Sequence, residues 1–397
     1  MNLSDSAPAN AAVEPQRGSA PSSRDVILDA WRGVSVLLVI LYHAVNYHFS
    51  QQFESAAAGT LEWKLDALAP LSFYVKRALF VVGPYFGVLG VKFFFVISGY
   101  IITALLLRER ERKGRISLRA FYVRRAFRIL PPLLLFLTLA AIATLSGVVY
   151  IAPESFLLGM GFLCNTGIGG CEFFLGHLWS LAVEEQFYIA WPLLVVALPT
   201  RNIPRVALGL VIAFLLLQQS SRLYVHGWII NNGASFACIA IGALYATSPA
   251  LRAGINRLAA APTILVAAIV LFARPVLHIA IPWQQQLYDL LTPLLITFVL
   301  FGCSRYRAVL EQRLAVTLLA KVGLVSYGAY LFQQLFLGPA EQYLRRSPLD
   351  HMLLGAAIVV GSYVLLEKPL IKIGARWSRA LAGRGDQGED QLLARIG

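Results

Sequence analysis

The sequence has little charge, and least of all acidic charge. Only 14% of its 397 residues are charged, and 34 basic residues stand against 21 acidic ones. Soluble domains carry about 25% charged residues, and this chain has no long polar block from which to build one. Hydrophobic residues make up 58% of the chain and the mean hydropathy is +0.66. These values exclude an ordinary soluble domain and indicate a polytopic membrane protein.

The sequence also shows no pattern of a signal peptide, of an internal repeat or of a cysteine framework. Residues 1–25 are small and polar with no apolar run, so they predict a disordered cytoplasmic segment rather than a cleaved leader. Four scattered cysteines form neither a metal site nor a disulfide scaffold, and we expect no metal. Cys164 and Cys171 share one loop and can pair if that loop faces an oxidising compartment.

Ten apolar stretches approach the length of about 20 residues that a membrane helix needs. They lie near 30–49, 84–107, 129–149, 178–198, 206–222, 233–247, 262–281, 287–303, 322–338 and 351–371. With the N-terminus inside, 26 basic residues fall on the cytoplasmic side and seven in outer loops. The sequence therefore predicts an all-α polytopic membrane protein with about ten transmembrane helices. Both termini are cytoplasmic, and a basic, polar tail, 372–397, follows the membrane domain, 26–371.

The largest predicted inner loop, residues 108–128, holds nine basic residues and two acidic ones. One interpretation is an anchor that contacts anionic lipid, which explains the charge without a nucleic-acid partner. Arg125 and Arg128 are three residues apart, however, and so share one helix face. Paired guanidiniums can bind phosphate bidentately. An anchor and a phosphate site both remain open.

An arginine and a histidine bracket the first membrane helix in the stretch LDAWRGVSVLLVILYH. Arg32 and His43 are eleven residues apart, so they share a helix face and lie ~16 Å apart along its axis. Asp29 and Asn46 fall near the same face. This polar stripe runs from the cytoplasmic surface to the middle of the bilayer, where ionisable groups are costly and usually functional.

Two adjacent carboxylates, Glu184 and Glu185, lie in a second stretch, GHLWSLAVEEQFYIAWP, at a depth close to that of His43. Neighbouring helix positions point about 100° apart, so at least one carboxylate must face the interior and find a partner. Two interpretations remain. The partner is a structural cation, for example Arg222 or Lys92, or a carboxylate orients His43 as in a base–orienter pair.

A third stretch, GVKFFFVISGYIIT, is less informative. Ser98 and Gly99 are small residues of the type that lets membrane helices approach closely. Lys92 can extend its aliphatic stem to the outer surface. These residues alone do not predict a catalytic role.

Together these segments resemble the acyltransferase-3 family of integral membrane acyltransferases, of O-acetyltransferase type. The motifs occur in the family's order as LDAWRGVSVLLVILYH, GVKFFFVISGYIIT, RRAFRILP, LWSLAVEEQFYIAWPLL, SYGAYLF and EKPL. The resemblance implies a ten-helix fold in the bacterial cytoplasmic (inner) membrane. It implies transfer of an acyl group, usually acetyl, from cytoplasmic acyl-CoA to a hydroxyl of a carbohydrate. The acceptor would be O-antigen lipopolysaccharide, exopolysaccharide or a similar glycan, including a lipid-linked one.

Carried over motif by motif, the resemblance implies roles for individual residues. His43 would be the catalytic base, with Glu184 or Glu185 holding its imidazole. The residues implied in handling acyl-CoA are Arg32, Arg125 and Arg128. The remaining motif positions, which bind substrate or stabilise the fold, are Asp29, Ser98, Trp179 and Ser180.

The chain departs from the family at two positions. Relatives often have Asp at the site of Lys92 and His at the site of Gln333. No second base is assigned to Gln333, because an amide does not exchange protons as an imidazole does. The chain ends about 26 residues after its last predicted helix, so we expect the standalone type without a C-terminal hydrolase-like domain.

Two other classes of function fit parts of the pattern. A proton-coupled transporter of a small molecule or lipid-linked glycan would use His43, Glu184 and Glu185 as a proton relay. The internal repeat that many transporters show is absent from the sequence. A structural scaffold leaves the polar stripe of the first helix unexplained. Binding of acyl-CoA distinguishes the enzyme from both.

Overall fold

The computed structural model describes residues 25–58, 71–166, 168, 170–171, 173–220, 232–278, 284–337 and 348–382. Every regular element in these ranges is helical. The first half contains α1 (Val26–Ala58), α2 (Leu71–Lys113), α3 (Leu118–Leu145), α4 (Pro153–Met160), α5 (Phe173–Gly176), α6 (Leu178–Ala197) and α7 (Ile203–Ser220). The second half contains α8 (Gly233–Thr247), α9 (Pro249–Leu258), α10 (Ala261–His278), α11 (Gln284–Cys303), α12 (Arg307–Leu310), α13 (Leu314–Leu324), α14 (Ser326–Phe336), α15 (Pro348–Gly361) and α16 (Lys368–Ala382).

The membrane-spanning helices agree with the apolar stretches of the sequence. Among the described residues, seven helices are long and apolar enough to cross a membrane, and nine spans result if each of two bent helix pairs counts as one. The pairs are α8 with α9, bent by 95°, and α13 with α14, bent by 73°. The shorter apolar helix Ala261–Ala273 coincides with the remaining predicted stretch. The all-helical, multi-pass class is confirmed, whereas a count of ten and cytoplasmic termini stay predictions.

Some sequence predictions fall outside the described residues or change at their edges. The N-terminal 24 residues, Arg222 and the side chain of Asn46 lie outside them. The predicted tail, 372–397, begins inside a helix, because α16 continues to Ala382. What the sequence predicts for these segments therefore stays a prediction, except over residues 372–382, which belong to α16.

The predicted inner loop, residues 108–128, is mostly helical, so that prediction was wrong. Charge ends the apolar stretch, but Arg, Glu and Lys are good helix formers, and α2 continues to Lys113. Gly114 makes the turn with φ +68°, a left-handed conformation that glycine adopts at no steric cost. Ser117 then caps α3, its Oγ accepting a hydrogen bond from the N–H of Ala120 at 3.3 Å. The basic residues consequently lie on two helix ends.

The interior is packed with large apolar side chains, and the outside is apolar as well. Trp191 and Phe136 are fully buried, and the indole N–H of Trp191 donates to Thr103 Oγ1 at 2.8 Å. Large apolar residues also lie exposed on the outer faces of several helices, among them Leu134, Leu194, Leu216, Leu265 and Leu353. Extensive apolar surface is unusual for a soluble monomer. It is the surface that a lipid bilayer requires.

Glycine contacts fix how α1 and α2 pack against their neighbours. A Cβ on Gly33 would collide with the carbonyl oxygen of Leu319 in α13. A Cβ on Gly99 would likewise collide with the carbonyl oxygen of Ile239 in α8. Only residues without a side chain allow such backbone approach. The interpretation of Gly99 as a helix-packing residue is therefore confirmed.

A disulfide joins Cys164 and Cys171, whose Cα atoms lie 5.5 Å apart. The pairing that the sequence left open is thus present in the structure. The other two cysteines, Cys238 and Cys303, are free, and Cys238 is buried. Disulfides persist in oxidising compartments, which agrees with the predicted outer location of this loop.

Candidate active site

A cavity of about 90 Å³, here called the central cavity, lies among α1, α2, α3, α6 and α14. Its polar lining comes from Arg32, Ser98, Arg125, Arg128, Ser180, Glu184, Glu185, Tyr188, Ser326, Tyr327 and Tyr330. Most of the candidate residues predicted from the sequence meet here, although they come from four different helices. Three arginines and two carboxylates around one enclosed space leave an excess of positive charge. Such a site suits an anionic ligand.

Arg125 and Arg128 both line the central cavity, so the shared face predicted from their spacing is confirmed. The guanidinium of Arg125 lies 4.9 Å from the ring centroid of Tyr188, within cation–π range. Arg32 reaches the same cavity from α1, and its Nη1 lies 3.9 Å from Oδ1 of Asp29. Asp29 thus supports Arg32 through an i,i+3 ion pair.

Other arginines of the basic segment have structural partners outside the central cavity. Arg124 pairs with Glu109, with an Nη2 to Oε2 distance of 3.2 Å. Arg110 donates to carbonyl oxygens at the C-terminal end of α6, including that of Leu198 at 3.1 Å. Such contacts satisfy the carbonyls that a helix end leaves without intrahelical partners. One segment therefore contains both arginines that anchor helices and arginines that line the cavity.

The two carboxylates have different surroundings. Glu184 Oε1 accepts hydrogen bonds from Ser98 Oγ and from the phenol of Tyr188. Glu185 is buried, and its Oε1 has no hydrogen-bond partner among the described residues. Leaving a buried carboxylate oxygen without a partner costs free energy. Glu185 and Ser326, whose buried Oγ also has no partner among the described residues, are therefore two groups in this wall that a bound ligand would satisfy.

His43 pairs with an amide rather than with either carboxylate. Its Nδ1 lies 3.0 Å from the carbonyl oxygen of Val39 and 3.1 Å from Oε1 of Gln333. The predicted contact between His43 and Glu184 or Glu185 is not found, because α14 places Gln333 beside the imidazole instead. Two oxygen acceptors at Nδ1 favour the tautomer that carries its proton there. Nε2 is then an unprotonated acceptor, the form a general base needs.

A second histidine, His177, also contacts a glutamine through its Nδ1, and this glutamine is the residue that follows Gln333. Gln334 Oε1 contacts Nδ1 of buried His177. The carbonyl oxygen of His177 accepts from Tyr330 at 2.9 Å and from Ser180 at 3.2 Å, and these two hydroxyls lie 2.6 Å apart. Because Ser180 and Tyr330 line the central cavity, this cluster connects the cavity to the helix that orients His43.

Several of these residues were missed by reasoning from the sequence. Gln333 was noted only as a departure from the family, and the others carried no role: Gln334, His177, Tyr188 and Tyr330. Their sequence signal is weak but present, since two adjacent amides inside an apolar helix must find buried partners. Trp179 packs edge-on against Phe95, with ring centroids 6.2 Å apart, and does not line the central cavity.

Fold and site together define a multi-pass helical membrane protein with an arginine-lined cavity, and His43, which does not line that cavity, is held at Nδ1 by two oxygen acceptors. The chain belongs to the acyltransferase-3 family, since the family profile, described as an acyltransferase domain, matches residues 25–367. Within the described residues no group of three or more potential metal ligands occurs.

Proteins named as O-acetyltransferases match part of the chain. "Putative O-acetyltransferase SACOL0978" of Staphylococcus aureus (strain COL) is 40% identical over 124 residues, 28% of this chain and 20% of that protein. O-acetyltransferase OatA of Staphylococcus aureus (strain NCTC 8325 / PS 47) is 33% identical over 152 residues, 35% of this chain and 25% of OatA. The chain thus covers about a fifth to a quarter of these curated relatives. No solved structure matches it.

Proposed function

We propose that this protein is a membrane O-acyltransferase that moves an acyl group, in the simplest case acetyl, from cytoplasmic acyl-CoA to a carbohydrate hydroxyl. The observation that carries the proposal is the convergence of Arg32, Arg125 and Arg128 on one cavity. A thioester donor that carries phosphates needs such cations. Membership of the acyltransferase-3 family supports the same reaction.

The donor would bind with its phosphates at the cytoplasmic end of the central cavity. Arg125 and Arg128 lie at the end of the basic segment 108–128, where the membrane part of α3 begins. Guanidiniums suit phosphate because their planar donor pairs match phosphate oxygens. The pantetheine arm would then extend toward Glu185, whose buried Oε1 can accept from one of its amide N–H groups.

His43 would act as the general base. Arg32 and His43 are eleven residues apart on α1, which places the imidazole ~16 Å further into the membrane. Nε2 removes the proton from the acceptor hydroxyl as its oxygen attacks the thioester carbonyl, and the CoA thiolate leaves. Such proton transfer contributes about 10²–10⁴-fold to a rate. Gln333 holds Nδ1 and so keeps Nε2 unprotonated.

The acceptor would approach from the outer side of the bacterial cytoplasmic membrane. His43 lies in the outer half of α1 under the predicted topology. The Cys164–Cys171 disulfide supports an oxidising environment for the loop that contains it. Glycans of the cell surface, such as O-antigen or exopolysaccharide, are the acceptors we propose. A proton relay for transport would need His43 to meet Glu184 or Glu185, whereas His43 contacts Gln333 and Glu184 contacts Ser98 and Tyr188.

Binding of acetyl-CoA to the purified full chain in lipid nanodiscs tests the proposal. We expect Arg125→Ala to weaken binding about 10- to 100-fold, because hydrogen bonds to charged groups contribute about 1.5–3 kcal/mol. Arg124→Ala is the matched control, since Arg124 pairs with Glu109 outside the central cavity. Equal losses in both variants, or no binding by the wild-type protein, would contradict the proposal. The second result would favour a transporter.

A further inference from the structure

A second cavity, here called the outer cavity, shares no lining residue with the central cavity. Its volume is about 390 Å³, and its walls come from α2, α6, α7, α8, α11 and the disulfide loop. The lining residues that matter here are Lys92, Asn165, Trp179, Asn232, Ser235 and Asp289. Small-molecule sites usually measure about 300–1,000 Å³ and combine apolar walls with a few placed polar groups. The outer cavity has these properties.

The outer cavity lies at the end of the bundle opposite the basic segment. Lys92 precedes Arg108 by sixteen residues on α2, a separation of ~24 Å along the helix. Asn165 follows Cys164, a member of the disulfide. A group that enters from the oxidising side would therefore meet this cavity, whereas acyl-CoA would meet the arginines of the central cavity.

A loose buried ion pair forms one wall of the outer cavity. Lys92 and Asp289 are both less than one-tenth exposed, and Nζ lies 4.0 Å from Oδ1. That distance is too long for a hydrogen bond, and Nζ donates none to the other described residues. Buried charges need hydrogen bonds to offset their lost hydration. The ammonium of Lys92 is thus available to a ligand oxygen, and the expectation that it reaches the outer surface was wrong.

The opposite wall offers an aromatic ring and a hydroxyl. Trp179 is half-buried, and its indole N–H has no partner within the described part of the chain. Ser235 is buried, and its hydroxyl likewise makes no hydrogen bond there. Asn165, in contrast, is held by Gln186 through bonds of 2.9 and 3.0 Å. The side chain of Asn165 is therefore fixed, whereas the indole N–H of Trp179 and the hydroxyl of Ser235 remain able to bind a ligand.

We propose that the outer cavity binds a sugar unit of the acceptor glycan; this inference rests on the proposed O-acyl transfer. A sugar ring has apolar C–H faces that pack on an indole and hydroxyls that bond to charged and polar groups at its edge. Trp179 supplies the first surface. Lys92, with its partner Asp289, and Ser235 supply the second, through charge-assisted and neutral hydrogen bonds. The cavity selects the glycan, and His43 acts on its hydroxyl.

Direct binding of glycan tests this inference independently of catalysis. The probe is the envelope glycan of the expressing strain, stripped of esters with mild alkali and titrated calorimetrically into nanodisc-held protein without acyl-CoA. We expect Trp179→Phe and Ser235→Ala each to weaken binding about tenfold, with acetyl-CoA binding unchanged. Trp377→Phe and Ser146→Ala are the controls, because both residues are exposed and neither lines either cavity.

The outcomes separate the two proposals. Glycan affinity that is equal in wild type and both cavity variants, or absent in wild type, overturns the sugar site. If a cavity variant loses acetyl-CoA binding instead of glycan binding, the outer cavity binds the donor, and this result also overturns the sugar site. If the variants lose glycan binding but the wild-type protein forms no ester from acetyl-CoA, the result supports the sugar site and contradicts the proposed acyl transfer.

Discussion

His43 and Gln333 are 290 positions apart in the sequence, yet Nδ1 of the imidazole lies 3.1 Å from Oε1 of the amide. The carbonyl oxygen of Val39, one turn earlier on α1, lies 3.0 Å from the same nitrogen. Both neighbours accept hydrogen bonds. The imidazole is thereby held with its proton at Nδ1, which leaves Nε2 as the basic atom.

Substitution of Gln333 tests this tautomer. Gln333→Leu removes one acceptor, and a hydrogen bond contributes about 0.5–1.5 kcal/mol, so the transfer rate should fall about 2- to 10-fold. Gln333→Glu keeps an acceptor at the same position and should lose less. Initial rates with labelled acetyl-CoA measure both. A Glu variant slower than the Leu variant would indicate that Nδ1 carries no proton.

The adjacent carboxylates should differ in what they do for stability. Glu184→Leu leaves the hydroxyls of Ser98 and Tyr188 without their acceptor, and each buried unsatisfied group costs about 1–3 kcal/mol. Glu185→Gln removes a charge whose Oε1 has no described partner, so we expect no loss of stability. Thermal unfolding in detergent gives the comparison. Equal apparent Tm values for the two variants would argue against these separate roles.

Close packing of α2 on α8 depends on Gly99. Gly99→Ala places a Cβ against the carbonyl oxygen of Ile239, and overpacking typically costs about 1–3 kcal/mol. We expect less folded protein in the membrane and a lower apparent Tm. On α7, Gly209 has open space around its Cβ position, so Gly209→Ala is the matched control and should be neutral. A Gly99→Ala variant as stable as this control would refute the tight crossing.

The disulfide provides a test of topology. In a variant with Cys238 and Cys303 changed to Ser, only Cys164 and Cys171 remain. In cells whose outer membrane alone is permeabilised, a membrane-impermeant maleimide should label this variant only after the disulfide has been reduced. The reason is that the two cysteines are paired and face outward. Labelling without reduction would show that they are not paired. Labelling that requires disruption of the inner membrane would place the loop in the cytoplasm.

Hydropathy alone predicts where the helices of this fold lie, because apolar length reports what a bilayer can hold. It does not predict where helices bend or end. The segment 108–128 reads as a loop because it is charged, although its Arg, Glu and Lys residues extend α2 to Lys113. The 73° break between α13 and α14 also lies within one apolar stretch. The backbone geometry of the fold, and not hydropathy, determines where α2 ends and where α13 and α14 are bent.

Spacing along one helix predicts the shared face of Arg125 and Arg128, because helical geometry is local. Partners from different helices are not predicted in this way. His43 meets Gln333 instead of Glu184, and Lys92 meets Asp289, because the packing of distant segments decides which polar groups come together. Composition says that such groups need partners, but only the tertiary fold selects them.

We propose above that His43 is the general base that forms an ester on a glycan hydroxyl. Mass spectrometry of envelope glycans should compare strains that express the wild-type protein and His43→Ala at equal membrane abundance. We predict an acyl ester with the wild-type protein and a loss of about 10²–10⁴-fold in its rate of formation with the variant. An ester that forms equally in both strains would contradict the assignment of His43 as the base.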